Sequence, residues 1–298
     1  MIFGAFADAG RIAIVAHDAG AANHIFSWIG GEGGTYRVLV EGVAARLWVQ
    51  RFGTAPAEMM LDAVLRDVDF VVTGTGWASD LEHAARKQAR ALGLRTAAVV
   101  DHWVNYRERF VRDGEEVLPD EIWVTDEYAL AEARRRLDGV PIVLKPNWYL
   151  AEQVAAAGPP AVQGDLLFVA EPARDDWGRG NAGEFQTLDF LWAHRDVAGI
   201  NAGVAMRIRP HPSDPPGKYD AWIAAHPGSR LDHSRDMGEA LRSALWVAGL
   251  QSYALVIALA SGRPAICALP PWAPPNRLPH TGLLKLRDVI GASGTEPL

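Results

Sequence analysis

The chain has 298 residues, of which 49% are hydrophobic and 22% charged, and its formal net charge is −7. This length exceeds what one hydrophobic core usually supports, so two domains of about 150 residues are expected, with a single large sheet as the alternative. The acidic balance excludes a protein whose main partner is nucleic acid, because neutralising many phosphates needs a basic surface.

Cys267 is the only cysteine, which excludes an internal disulfide and a cysteine-built zinc site. It lies in the apolar run 264–269 and is predicted to be a small buried hydrophobe. The first residues have neither a basic leading region nor a cleavage signature, and no apolar run reaches the roughly 18 residues that span a bilayer. The expected location is the cytoplasm.

Short apolar runs alternate with amphipathic helical patterns from end to end, which is typical of parallel strands joined by crossover helices. The strands predicted in the first half are 12–16, 37–40, 69–73, 96–100, 121–124 and 142–144. Those predicted in the second half are 166–170, 205–209, 245–248 and 265–268. The predicted fold class is α/β, with two Rossmann-like domains and a cleft between them.

Residues 155–164 contain Ala-Ala-Ala-Gly-Pro-Pro and separate the two series of strands. A helix cannot continue through these prolines. We therefore expect residues 1–155 to form the first domain and residues 156–298 the second.

Three helices have clear patterns. A helix is predicted over 80–92, where Ser79 and Glu82 fit a capping box and Gly93 supplies the stop. Its predicted inward face carries Leu81, Ala84, Ala85, Gln88 and Leu92. A second helix over 126–137 would turn Leu130, Ala133 and Leu137 inward and its arginines 134–136 to water. A third, starting near Ser252, is apolar on nearly all sides and is expected to be buried.

Polar and glycine-rich segments follow most of the predicted strands. In open α/β sheets ligands bind beyond the carboxyl ends of the strands, where loops vary and helix N-termini point outward. The segments at these ends are 17–20, 74–77 and 101–106 in the first half, and 171–172, 209–212 and 249–252 in the second. Their clustering of histidine, aspartate and small residues predicts a binding or catalytic site at these ends.

The second half offers an anion site. In Arg-Pro-His-Pro, two prolines fix the backbone around His211, and Arg209 can provide charge-assisted bonding. Gly249 and the apolar helix after it offer backbone N–H groups, with Gln251 and Ser252 placed to cap the helix or to contact a ligand. A rigid exposed turn and a simple Ser252 helix cap are the alternatives.

These features resemble the GT-B class of nucleotide-sugar enzymes, on the two Rossmann-like halves, the Arg-Pro-His-Pro turn and the segment from Gly249 to Pro264. The His-Pro turn is similar to that of bacterial sialyltransferases, polysialyltransferases and glycerophosphotransferases, where it holds the phosphate of a cytidine nucleotide. The resemblance implies this role for His211, and contacts to phosphate and ribose for Gln251 and Ser252. It also implies chemistry without a metal or a separate cofactor.

The first half offers acid–base groups. His17 or Asp18, at the end of the first strand, could deprotonate an acceptor hydroxyl or activate water, with His17 favoured; the alternative makes Asp18 a helix cap. Asp101 is the third catalytic candidate. The candidates for gripping a sugar acceptor are Gly74, Gly76, Trp77, His102, Trp103 and Asn105.

The hypothesis is a glycosyltransferase of polysaccharide or glycoconjugate synthesis that takes a nucleotide-activated donor and a carbohydrate-type acceptor. A nucleotide-sugar hydrolase or a 2-epimerase of the same fold stays open, since either would use the same donor pocket. An NAD-dependent enzyme is a further alternative, since Gly74-Thr75-Gly76 after one strand and Asp101 at the end of the next partly match the dinucleotide fingerprint, although Ser79 replaces its third glycine or alanine. A two-lobed binding protein without catalysis is the remaining alternative, and the sequence does not predict the oligomeric state.

Overall fold

A computed structural model describes residues 10–31, 35–173 and 175–293 of the chain. The chain divides into two compact units, Met1–Tyr149 and Leu150–Leu298. Each unit has its own six-stranded parallel sheet flanked by helices, as the α/β prediction requires. Among the described residues, no helix combines the length and the apolar character needed to cross a bilayer.

The first unit is a sheet in the order β2-β1-β3-β4-β7-β8, with a separate short hairpin of β5 and β6. Its strands are β1 Ile12–Ala16, β2 Tyr36–Val40, β3 Phe70–Thr73, β4 Arg95–Val99, β5 Val111–Arg112, β6 Glu115–Glu116, β7 Glu121–Val124 and β8 Ile142–Leu144. Its helices are α1 Ala19–Gly31, α2 Gly42–Phe52, α3 Leu61–Val64, α4 Leu81–Ala91, a 3₁₀ turn Glu108–Phe110, and α5 Glu127–Arg136, with α6 Trp148–Ala157 starting in this unit. The strand order reverses at β1, which lies between β2 and β3.

The first sheet is covered on both faces, as β1 shows. Ile12 and Ile14 pack into one apolar cluster with Trp28 of α1, whereas Ala13 and Val15 pack into another with residues of α3 and α4. Successive side chains of a strand point to opposite faces, so β1 is apolar throughout because both faces are buried. Each large apolar side chain buried here stabilises the fold by about 1.5–3 kcal/mol.

The second unit is a sheet in the order β11-β10-β9-β12-β13-β14, with its reversal between β9 and β12. Its strands are β9 Asp165–Val169, β10 Met206–Arg209, β11 Ser229–Leu231, β12 Ala244–Gly249, β13 Ala265–Cys267 and β14 Leu284–Lys285. Its helices are α7 Gly183–His194, α8 Asp220–Ala225, α9 Met237–Leu241, α10 Tyr253–Ala260 and α11 Leu286–Ser293. Cys267 is 2% exposed, and burial raises the pKa of its thiol, as expected of a buried small side chain.

All ten predicted strands are present, with bounds that differ by at most one residue. The sequence patterns missed β5, β6, β11 and β14, which have only two or three residues each. The apolar helix predicted near Ser252 is α10, and its residues from Leu255 to Ala258 are buried. The helix over 126–137 also forms as predicted, with its arginines exposed and Leu130, Ala133 and Leu137 buried.

The predicted face of α4 is wrong in part. Ala84 and Leu92 are exposed, while the buried face includes Glu82 and Arg86. The capping box is also wrong, because the Ser79 hydroxyl accepts the Leu81 N–H but the Glu82 carboxylate turns inward to other partners. The helix stop is right: Gly93 takes the left-handed conformation with φ of 69°.

Candidate functional site

At the carboxyl edge of the first sheet, the loops after β1, β3 and β4 are neighbours because these strands are adjacent and parallel. His17 and Asp18 follow β1, Gly74 to Trp77 follow β3, and Asp101 follows β4. The structure therefore brings the catalytic candidates and part of the acceptor candidates of this unit to one edge.

His17 and Asp18 form a side-chain pair. His17 Nδ1 lies 2.7 Å from Asp18 Oδ1, and the other oxygen of Asp18 accepts the backbone N–H of Trp77 at 2.9 Å. Both oxygens of Asp18 therefore have partners outside α1, which does not support the alternative of Asp18 as a cap of that helix. A carboxylate on Nδ1 orients the imidazole and leaves its Nε2 as the atom for proton transfer.

Two glycines give this pair its space. A Cβ on Gly42, which has φ of 54°, would collide with His17 Nε2, and a Cβ on Gly76 would collide with the Asp18 carboxylate. Gly42 begins α2, so the His17 ring lies against the N-terminal end of that helix. Only glycine fits at position 42, because the backbone there is left-handed and the His17 ring is so close.

The buried carboxylate of Glu82 ties the loops after β1 and β3 together. Its two oxygens accept the backbone N–H of His17 at 3.0 Å and that of Gly76 at 2.5 Å. Glu82 is 2% exposed, and burial raises the pKa of its carboxyl against the opposing effect of these N–H donors and of Arg86. A Cβ on Gly74 would collide with this carboxylate, so Gly74 makes room for Glu82.

Asp101 is held by an arginine from its own loop. Arg109, whose side chain is 6% exposed, bonds Asp101 Oδ1 at 2.9 Å and Thr75 Oγ1 at 3.2 Å. Burial raises the pKa of Asp101, but Arg109, His102 and His24 lower it more, so the net direction is downward. Asp101 is therefore an ionised acceptor, and a Cβ on Gly20 of α1 would collide with it.

The acceptor candidates divide into exposed and buried groups. Trp77 is 38% exposed beside Asp18, with the Arg112 guanidinium 5.4 Å from its ring centroid. Asn105 is exposed with φ of 57°. Trp103 was expected to offer an aromatic surface, but it is 5% exposed and its indole N–H bonds the Asp126 carboxylate, so it packs inside the unit; His102 packs against its ring.

In the second unit, Arg209 belongs to an internal charge network. Its guanidinium bonds Asp232 Oδ2 at 2.6 Å and the carbonyl of Ser234 at 2.9 Å. Asp232 also pairs with Arg207, which pairs with Asp165 in turn. The sequence predicts that Arg209 offers its charge directly to a ligand. In the structure its guanidinium is instead hydrogen-bonded to Asp232, a carboxylate of the same unit.

His211 lies in a well-defined turn. Its Nδ1 lies 2.7 Å from Ser213 Oγ and accepts the Ser213 backbone N–H at 3.2 Å. Its own backbone N–H donates to Asp214 Oδ2 at 2.8 Å. Because Nδ1 accepts a hydrogen bond, Nε2 carries the proton of the neutral ring and can act as a donor.

The start of α10 differs in detail from the prediction. Gly249 lies so close to β9 that a Cβ would be 2.8 Å from the Val169 carbonyl oxygen. The Gln251 N–H, expected to face a phosphate, donates to the Glu171 carboxylate at 3.0 Å, and the Gln251 side-chain oxygen accepts the Arg277 N–H. Burial raises the pKa of Glu171, and the Gln251 N–H opposes it.

Ser252 is the N-cap residue of α10 by its backbone position, but its side chain makes no cap hydrogen bond. Its Oγ is buried and, within the described part of the chain, has no hydrogen-bond partner. The alternative of a simple serine side-chain cap is therefore wrong. In the same part of the chain, no group of three or more His, Cys, Asp or Glu is placed to hold a metal ion.

Sequence reasoning missed several residues that hold these loops. The capping-box pattern does not indicate the inward position of Glu82, and no pattern predicts a role for Arg109 or for Lys218, whose ammonium group pairs with Asp214 and Glu184. The available signals were weak: a carboxylate on the inner side of a helix for Glu82, and the four-residue spacing from Asp214 for Lys218.

Neither a protein-family model nor a curated protein matches the sequence. Solved structures match across most of the chain. A UDP-GlcNAc 2-epimerase from Neisseria meningitidis bound to UDP-GlcNAc has a TM-score of 0.60 at 11% identity, covering 95% of this chain and 90% of its own. The S. aureus MnaA–UDP structure has a TM-score of 0.57 at 12% identity, covering 87% and 78%.

The glycotransferase of kitacinnamycin has a TM-score of 0.52 at 13% identity, covering 97% of this chain and 91% of its own. At such identities these likenesses show the fold alone. The chain has a GT-B fold of two Rossmann-like domains.

Proposed function

We propose that this chain is a nucleotide-sugar enzyme whose second unit binds the phosphates of the donor and whose first unit supplies the base. The observation that carries the proposal is the His17–Asp18 pair, whose Nδ1 and Oδ1 lie 2.7 Å apart at the carboxyl edge of the first sheet. An imidazole oriented by a carboxylate is suited to taking a proton from a hydroxyl.

The second unit supports phosphate binding through two features of its carboxyl edge. His211 has Nε2 as its donor atom in a turn braced by Ser213 and Asp214. The start of α10 adds the positive end of a helix and the Ser252 hydroxyl. The side chains proposed to contact the donor phosphates are thus those of His211 and Ser252, with Gln251, Arg209 and Gly249 shaping the site.

The proposed reaction is glycosyl transfer. His17 Nε2 takes the proton of an acceptor hydroxyl, whose oxygen forms a bond to the anomeric carbon of the donor. The bond from that carbon to the phosphate oxygen breaks, and the leaving phosphate keeps the electron pair. Asp101, as an ionised acceptor, would hold substrate hydroxyls, and the exposed Trp77 ring with Gly76, His102 and Asn105 would contact a carbohydrate acceptor.

We further propose that the reaction needs no metal or separate cofactor and takes place in the cytoplasm. Under this proposal helix N-termini and the His211 turn stabilise the leaving phosphate. Activity that is unchanged by a chelator such as EDTA would support the metal-free part. Activity that vanishes with EDTA and returns with a divalent cation would contradict it.

A 2-epimerase is the second candidate, and the presence of a UDP-GlcNAc 2-epimerase among the similar structures favours considering it. The first unit has groups for proton exchange at a carbon centre, namely His17 and the carboxyls of Asp18 and Asp101. Hydrolysis would use the same donor pocket with water as acceptor. Epimerisation at C2 through proton removal would place solvent deuterium on that carbon, which NMR detects after incubation of UDP-GlcNAc in D₂O.

The direct test is calorimetry with CMP, CDP, UDP, GDP and NAD. We expect one of the nucleoside phosphates to bind, and a preference for cytidine nucleotides would support the sialyltransferase-like specificity. His211→Ala should weaken this binding, while His17→Ala should leave it intact and slow turnover. Equal nucleotide affinity in the wild type and in His211→Ala would remove the donor-site assignment, and a preference for NAD would contradict the proposed class.

A further inference from the structure

The ammonium group of Lys218 connects two loops of the second unit. Its Nζ lies 2.6 Å from Asp214 Oδ1 and 2.6 Å from Glu184 Oε1. The side chains of the two acids are only 2% and 4% exposed, and that of Lys218 is 17% exposed. Carboxylates this buried are stable only when they are paired and hydrogen-bonded.

Asp214 connects Lys218 to the His211 turn. While Oδ1 of Asp214 faces Lys218, its Oδ2 accepts the backbone N–H of His211 at 2.8 Å and the hydroxyl of Tyr219 at 3.0 Å. The position of the His211 backbone therefore depends on the position of the Asp214 carboxylate. The positions of the His211 backbone and of the Asp214 carboxylate therefore both depend on Lys218, the cation that pairs with this carboxylate.

Glu184 connects Lys218 to the loop after β9. Its Oε1 faces Lys218, and its Oε2 accepts the backbone N–H of Ala173 at 3.0 Å. Strands β9 and β10 are neighbours in the sheet, so the loops after them lie side by side at its carboxyl edge. One ammonium group thus anchors both loops, through one carboxylate each.

We propose that Lys218 is a positioning residue for anion binding, fixing the His211 turn and the loop after β9 in the geometry that receives the donor phosphates. The inference rests on the proposed function, and it adds a residue that contacts no phosphate itself. It follows that Lys218 should matter for ligands with phosphate and not for the nucleoside part of the same ligand.

The test compares UDP with uridine, and CDP with cytidine, by calorimetry and NMR titration of the whole chain. Lys218→Met removes the cation while keeping an apolar stem of similar length. We expect nucleoside diphosphate affinity to fall about tenfold or more, as for loss of a charge-assisted hydrogen bond, with nucleoside affinity unchanged. Lys285→Met removes a lysine from an exposed position of the same unit and should change neither.

A second variant separates positioning from folding. Lys218→Met leaves two buried carboxylates facing each other, and adding Glu184→Gln removes one of those charges. The double variant should recover part of the lost thermal stability but not the lost diphosphate affinity, because the His211 turn still lacks its anchor.

The outcomes are distinct. If the wild type binds none of these nucleotides, the proposed function fails and the inference falls with it. If the wild type binds and Lys218→Met binds the diphosphate equally well, the inference alone is overturned. It is also overturned if diphosphate and nucleoside affinities fall by the same factor, or if the double variant recovers diphosphate affinity along with stability, because Lys218 would then serve only the fold.

Discussion

His17 and Asp18 are adjacent in sequence and paired through their side chains, with 2.7 Å between Nδ1 and Oδ1. Neighbouring residues at a strand end usually diverge, since successive side chains point to opposite sides. Here β1 has ended, and the Trp77 N–H holds the second oxygen of Asp18 from the adjacent loop. Asp18 is thus fixed at both oxygens, and it fixes His17.

Asp18→Asn tests this relationship. The amide keeps the size of the side chain but can present its N–H₂ group to Nδ1, which favours the wrong tautomer or orientation of His17. We expect kcat to fall by about tenfold to a hundredfold, which is at or below the roughly 10²–10⁴-fold that general base catalysis contributes, because His17 itself remains; nucleotide affinity should be unchanged. Steady-state kinetics with the substrate pair found for the enzyme checks this, and Asp138→Asn at an exposed position serves as the control. An unchanged kcat would show that Asp18 does not assist His17.

Gly42→Ala tests the space around His17 Nε2. The added Cβ would collide with that atom, and φ of 54° strains any L-residue. We expect a loss of about 1–3 kcal/mol in the free energy of unfolding and a fall in kcat, because the ring must move. Denaturant unfolding and kinetics measure the two effects separately.

Gly53→Ala is a matched control, because Gly53 follows the other end of α2. It has φ of 80°, and nothing lies within 4 Å of its added Cβ. Gly53→Ala should lower the free energy of unfolding, because its left-handed backbone also strains an L-residue, but it should leave kcat unchanged. If Gly53→Ala lowers kcat as much as Gly42→Ala does, the effect of Gly42→Ala is not specific to His17.

The sequence predicted the strands well because parallel strands buried on both faces are continuous apolar runs, as in β1 and β9. The strands β5, β6, β11 and β14 escaped prediction because they have only two or three residues and none of them is a continuous apolar run. The strand-end rule placed His17, Asp18 and His211 at carboxyl edges of the sheets. It could not find Glu82 and Lys218, which reach these loops from later helices and turns, because the Glu82–His17 and Lys218–Glu184 contacts are fixed only by tertiary packing.

The same limit explains the reassigned residues. Arg209 and Trp103 are of residue types that often bind phosphates and sugars, yet each has a partner within its own unit, Asp232 for one and Asp126 for the other. Those partners lie 23 positions away along the chain in both cases. No local pattern in the sequence predicts a contact between residues that far apart.

Glu82→Gln tests the carboxylate that joins the loops after β1 and β3. One oxygen of the amide can still accept an N–H, but its N–H₂ group would face the other backbone donor, so we expect a loss of about 1–3 kcal/mol in the free energy of unfolding. The pKa of Glu82 is raised in the folded state, so the folded state binds more protons above the ordinary pKa of 4.5. Wild-type stability should therefore carry a contribution that decreases as pH rises through the folded pKa.

The Glu82→Gln variant has no titrating carboxyl at this position, so it lacks this pH-dependent contribution to stability. The stability difference between wild type and variant should thus shrink with rising pH, which chemical denaturation from pH 4.5 upward measures. Glu108→Gln, at an exposed position, is the control and should differ little from the wild type. A difference that grows with pH would mean that the carboxylate of Glu82 is stabilised in its ionised form.

His24 makes the stability of the first unit depend on pH in the direction opposite to that of Glu82. It is 1% exposed in α1, beside the rings of Trp28 and Tyr149. Burial lowers the pKa of His24 to about 4, although Asp101 and Asp126 act in the other direction. Between the ordinary value of 6.5 and about 4, the unfolded chain binds a proton that the folded chain does not.

The free energy of unfolding should therefore fall as pH drops from 6.5 to about 4, by about 3 kcal/mol from this residue at most. His24→Asn removes the titrating group, so its own stability should lose that slope even where its absolute stability is lower. His233→Asn removes an exposed histidine and should keep the wild-type slope. Urea unfolding at half-unit pH steps decides the matter: equal slopes in wild type and His24→Asn would mean that the imidazole takes up its proton inside the folded unit as readily as in water.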